Sequence, residues 1–128
     1  MRFFGQGARI PIPRISYSIK MAFADNLKQL PGVSHLAALQ LLDGDGQEVA
    51  LIEHKPGQIG SLAVYNHLAQ FYGAINAEAA NKGLELYAEH TEDARQNPGK
   101  HPNIDRLLKI AGGGNVLRVR HVFATSAD

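Results

Sequence analysis

The chain has 128 residues, 45% hydrophobic and 20% charged, which suits one globular domain with one core and does not suit a disordered segment. It contains no cysteine, which excludes a disulfide framework, a thiolate zinc site and a cysteine nucleophile. The net charge is only +1 and no stretch approaches the roughly 20 apolar residues of a spanning helix, so a soluble cytoplasmic protein without membrane contact is expected.

That charge is unevenly spread. Residues 1–20, MRFFGQGARIPIPRISYSIK, carry Arg2, Arg9, Arg14 and Lys20 and no acid, a balance of +4. Residues 21–128 hold the other nine cations against twelve acids, or −3. Pro11 and Pro13 forbid a continuous helix, which opposes a transit peptide, and no apolar run of about 7–15 residues marks a secretory signal. Met21 opens MAFADNLKQL, a workable start for the domain. Residues 1–20 therefore read as a basic extension or a misassigned start, with a packed arm or strand as the competing reading.

Asp25 is expected to cap a short helix to Leu30, which Pro31-Gly32 ends. HLAALQLLD and QEVALIEH flank a Gly-Asp-Gly turn and read as a β-hairpin, although Ala and Leu in the first run leave helix as an alternative. A calcium loop starting at Asp43 fails, because its sixth position is Glu48 and its twelfth is His54. Ser61 and Gly73 bracket a helix whose apolar face is Leu62, Tyr65, Leu68, Ala69 and Tyr72. The lead-in HKPGQIGS lacks the Gly-Lys-Ser/Thr ending of a phosphate loop and reads as a connection, though free amides at the helix start suit an anion.

Asn76 should cap a longer helix over residues 77–96, with Ala77, Ala80, Leu84, Tyr87, Ala88 and Thr91 facing the core. Gly83 interrupts that pattern. Opposite lie Glu85, Glu89 and Glu92 at i, i+4 and i+7, either a solvated face or a stripe able to hold magnesium or manganese. His90 and Asp93, at i and i+3, would touch each other, as a general base or metal ligand requires and as an ordinary surface hydrogen bond also provides. The helical wheel puts Arg95 near the core side, where its stem lies on apolar surface or its guanidinium reaches an anion.

Pro98-Gly99 ends this helix and Asn103 should cap the next, whose apolar face is Ile104, Leu107, Leu108 and Ala111. Lys100, His101 and Asn103 then stand before free helix amides, which makes either an anion site or a plain rigid turn. Residues 116–123, VLRVRHVF, form the clearest strand, with Arg118 and Arg120 on one face. Those arginines lack the aromatic partners or basic run of a nucleic-acid surface, so a nucleic-acid partner is not expected.

The elements add up to an α+β fold: a small antiparallel sheet, made of the hairpin plus the C-terminal strand, packed with three to four helices. Both hairpin strands carry apolar residues on two faces, with Leu36, Leu42 and Ile52 or their neighbours on the second, so a homodimer or the N-terminal arm is expected to cover it.

LYAEHTEDARQNPGKHPNIDRLL, with GSLAVYNHLAQFYGAI and LRVRHV, resembles a family of short, uncharacterised bacterial proteins over about residues 21–123. The resemblance implies a bacterial cytoplasmic protein and carries no activity, cofactor or catalytic residue.

The reading that stands first is a protein-interaction or anionic-ligand-binding module using Lys100, His101 and Asn103. Second is an enzyme using His90, Asp93 and Arg95 on an anionic substrate, with or without a metal on Glu85, Glu89 and Glu92. Nucleic-acid binding through Arg118 and Arg120 is third. Neither a nucleophile elbow, an HExxH pair nor a dinucleotide fingerprint occurs, so the enzyme reading rests on polar crowding alone and the sequence leaves any cofactor unknown.

Overall fold

The computed structural model describes residues 22–125, so the reading of residues 1–20 as extension or arm lies outside the described residues. The expected hairpin forms from β1 (Leu36–Leu42) and β2 (Glu48–Glu53). β3 (Arg118–Phe123) returns antiparallel on the far side of β1, giving the order β2-β1-β3. β1 is thus paired along both edges, and that context overrides the modest strand preference of its Ala and Leu residues. In the turn, Asp43 Oδ1 accepts the backbone N–H groups of Asp45 and Gln47, both at 2.9 Å, and Gly46 takes a φ of 81°. The carboxylate is spent on its own turn.

Leu39, paired with Ile52 and His121, and Leu41, paired with Ala50 and Val119, set the face that meets the helices. The outer face carries Ala38, Gln40, Leu42, Leu51 and Val122. Arg120 Nε donates to Gln40 Oε1 at 2.7 Å, and Gln40 Nε2 donates to Glu48 Oε1 at 2.8 Å, forming a polar ladder across all three strands. Leu36 and Ile52, expected on the second face, belong to the core; a register shift between Leu36 and Ala38 turns Leu36 inward.

Helix α1 (Phe23–Leu27) starts after Ala22, so Asp25 sits in its first turn and is not its cap. Helix α2 (Ile59–Tyr72) starts earlier than Ser61: Gln58 holds the cap position, and its Oε1 accepts Glu53 N–H at 2.9 Å. Gly73, at φ 84°, closes α2 as expected. Asn76 caps α3 (Ala77–Tyr87) by accepting Ala79 N–H at 2.8 Å.

The single helix expected over residues 77–96 is two helices, α3 and α4 (Glu89–Gln96), broken at Ala88. Ala88 has φ 53° and ψ −117°, backbone that suits glycine. Its N–H turns to Glu85 O, and the Leu84 carbonyl accepts the buried Thr91 hydroxyl at 2.5 Å instead. The residues that face inward also differ from the expected set. Ala77 and Arg95 are exposed, while Ala79, Gly83 and Ala94 are buried. Gly83 is where α3 presses on its neighbours: a Cβ there would lie 2.6 Å from Leu107 Cδ1 and 2.9 Å from Leu68 Cδ1. Leu107 belongs to α5 (Pro102–Ala111), whose buried stripe is Ile104, Leu107 and Ile110.

Candidate functional site

The segment between α4 and α5 is organised by one carboxylate. His101 Nε2 donates to Asp93 Oδ2 at 2.6 Å, and Lys100 Nζ reaches the same oxygen at 2.9 Å. Asn97 Nδ2 donates to Asp93 Oδ1 at 3.0 Å. Hydrogen bonds from His101 and then Lys100 hold the Asp93 carboxyl down at about 2. Gly99, at φ 95°, turns the chain tightly enough for its N–H to bond Asp105 Oδ2 at 2.9 Å. The imidazole that meets Asp93 is therefore that of His101, not His90. His90 Nε2 lies 4.0 Å from Glu89 Oε2.

His90 and His101 sit side by side, ring centroids 5.7 Å apart, on the wall of a pocket of about 410 Å³. Its apolar side comes from α1: Phe23 stacks on Tyr87 at 5.2 Å and meets His90 edge-on at 5.1 Å, with Leu27 beside it. Backbone contacts pin α1 there. Phe23 N–H donates to Glu89 Oε1 and Asn26 Nδ2 donates to Leu86 O, each at 2.9 Å. The first contact is the main cause that lowers the Glu89 carboxyl below its ordinary range. The polar side comes from the first turns of α2 and α5, with Ser61, Lys100, His101 and Asn103. Neither helix has a side-chain cap on its first turn.

Residues 23–121 match the family described as "Uncharacterized protein conserved in bacteria" (DUF2322). The chain belongs to this family. The match runs from the first residue of α1 into β3 and so takes in every wall of the pocket. No curated protein and no solved structure matches the chain.

In this DUF2322 member the other expected site residues are dispersed. The break at Ala88 leaves Glu85 on α3 and Glu89 and Glu92 on α4. Glu85 meets Lys82 at 3.4 Å, Glu92 accepts from Gln96 at 3.4 Å, and Glu89 holds α1. Among the described residues, no three His, Asp or Glu side chains gather to hold a metal. Arg95 is exposed. Asn103 is inside α5 and does not cap it; its carbonyl accepts Tyr65 OH at 2.6 Å and its Oδ1 accepts Arg106 Nη1 at 2.8 Å. Burial raises the Tyr65 phenol to about 12 against the opposing pull of Arg106.

Phe23, Leu27 and Tyr87 are pocket residues that sequence reasoning missed. Tyr87 reads as core on the wheel, and it is buried, with its hydroxyl 2.6 Å from Ser61 Oγ; burial raises its phenol strongly. The one usable signal was the uncapped lead-in to α2. Among the described residues, no helix is long and apolar enough to cross a membrane.

Proposed function

We propose that the protein binds a small anionic ligand in the pocket between α1, α2 and α5. One observation carries this reading: two helix N-termini without side-chain caps open on the same pocket as Lys100, His101 and His90. The first-turn N–H groups of α2, the Asn103 N–H of α5 (Pro102 has none and Ile104 N–H bonds His101 O) and the positive helix ends favour negative charge, and the lysine and imidazoles add donors. The Asp93 carboxylate offsets part of that charge and orients Lys100 and His101. Asn103 supports the second helix end from within. A cysteine-free chain fits a reducing, cytoplasmic setting.

The test is a thermal-shift titration of the full chain with inorganic phosphate and small carboxylates. A ligand at a hundred times its Kd adds about 2.7 kcal/mol of stability. The shift should disappear in Lys100→Ala combined with His90→Ala. A shift that survives in that double variant places the anion elsewhere and refutes the reading.

A second reading is supported by the Asp93–His101 pair. A carboxylate bound to Nε2–H leaves the opposite nitrogen of a neutral imidazole as a base, so the pair suits proton transfer on an anionic substrate. An ester-hydrolysis screen in which turnover falls in His101→Asn but not in Arg95→Ala would support it. A homodimer through the outer sheet face is consistent with exposed Leu51 and Val122 flanking the polar ladder. Sedimentation of wild type against Leu51→Lys decides that.

A further inference from the structure

We infer that the pocket's ligand is an organic anion with a single head group, one phosphate or carboxylate joined to a flat apolar body of about one ring; the inference rests on the anion reading above. Size is the first argument. A volume of 410 Å³ would hold roughly fourteen waters at about 30 Å³ each, and it lies in the lower part of the range for organic ligands. An inorganic anion would occupy only a corner of it.

The walls are the second argument. One side is apolar, built from Phe23, Leu27 and Ile104, and the other holds Lys100, His101 and Asn103. An ion of four oxygens satisfies the polar side and leaves the apolar side wet. A ring attached to the head would lie on the Phe23 side, where offset or edge-on contacts with aromatic groups are favourable. The wall is preorganised for this. Its helix is tied down by the Phe23 and Asn26 bonds, and Gly60 lets it press on α2, since a Cβ at Gly60 would stand 3.0 Å from Phe23 Cζ.

Charge is the third argument. Lys100 already faces Asp93 at 2.9 Å, so the polar side offers two helix ends and two imidazoles but little uncompensated full charge. That arrangement suits one negative group and disfavours a chain of phosphates, whose repulsion with Asp93 and Glu89 grows with each added charge.

The experiment is isothermal titration of the full chain with phenyl phosphate, inorganic phosphate and pyrophosphate. Phenyl phosphate should bind about tenfold tighter than inorganic phosphate or better, and pyrophosphate no tighter than inorganic phosphate. Phe23→Ala and Leu27→Asn, each checked for cooperative melting, should cut the ratio of phenyl phosphate to inorganic phosphate affinity to about threefold or less. Leu27→Asn keeps the test decisive if Phe23→Ala does not fold. Equal affinity for phenyl and inorganic phosphate would overturn the inference and leave the anion reading standing. A preference retained in a folded variant would also overturn it, by placing the ring on another wall. Binding of none of the three would overturn both.

Discussion

Asp93 and His101 are eight positions apart in the chain and 2.6 Å apart in space, Oδ2 to Nε2, so one hydrogen bond joins the last turn of α4 to the residue just before α5. Lys100 adds its ammonium to the same oxygen. This pair holds two helices around the Pro98-Gly99 turn and fixes one wall of the pocket.

The Asp93 carboxyl is depressed to about 2 from an ordinary 3.8, so its contribution to stability is fully present above about pH 3.8 and is lost as pH falls toward about 2. Asp93→Asn should therefore melt below wild type at neutral pH and show a shallower acid limb in thermal melts. Parallel acid limbs would show that the pair does not hold the helices together.

Tyr65 has the opposite sign. Its phenol is raised from 10.0 to about 12, so its contribution is fully present below pH 10 and is lost as pH rises toward about 12. In Tyr65→Phe the alkaline fall in melting temperature should be flatter. Removing the hydroxyl also frees the Asn103 carbonyl, which should cost about 1 kcal/mol at neutral pH.

Gly83→Ala sets helix propensity against packing. Alanine gains about 1 kcal/mol in a helix interior. Its methyl would meet Leu107 Cδ1 at 2.6 Å and Leu68 Cδ1 at 2.9 Å, both on fully buried side chains, and overpacking costs about 1–3 kcal/mol. Packing should win, with net destabilisation of about 1 kcal/mol at unchanged m-value in urea. A stabilised variant would mean that the leucines step aside freely.

The break at Ala88 makes a paired prediction. Ala88→Gly relieves a φ of 53° and should raise stability by about 0.5–1 kcal/mol. Thr91→Val removes the hydroxyl that satisfies the Leu84 carbonyl and should lower stability by about 1–3 kcal/mol. Urea melts of the two variants shifting in the same direction would contradict this account of the break.

Local chemistry was legible in the chain. Asp43 to Gly46 announces a turn because the Asp side chain and a positive-φ glycine act within four residues. Asn76 and Gly73 mark helix ends because caps involve only neighbouring backbone, and the apolar spacing of Ile104 and Leu107 follows helical period alone. These signals also sufficed for the α+β class and the hairpin. They did not reach Ala88, whose backbone no local rule favours. A continuous wheel through that residue therefore put Arg95 inward and ran Glu85 in line with Glu89 and Glu92, while the i, i+3 spacing of His90 and Asp93, both on α4, gave no sign that His101 from the next turn is the partner of Asp93. The partner of Asp93, the role of Gly83 and the meeting of Phe23 with Lys100 and His101 around one pocket were decided by tertiary packing. They depend on which helices touch across dozens of residues, and no i to i+4 pattern encodes that contact.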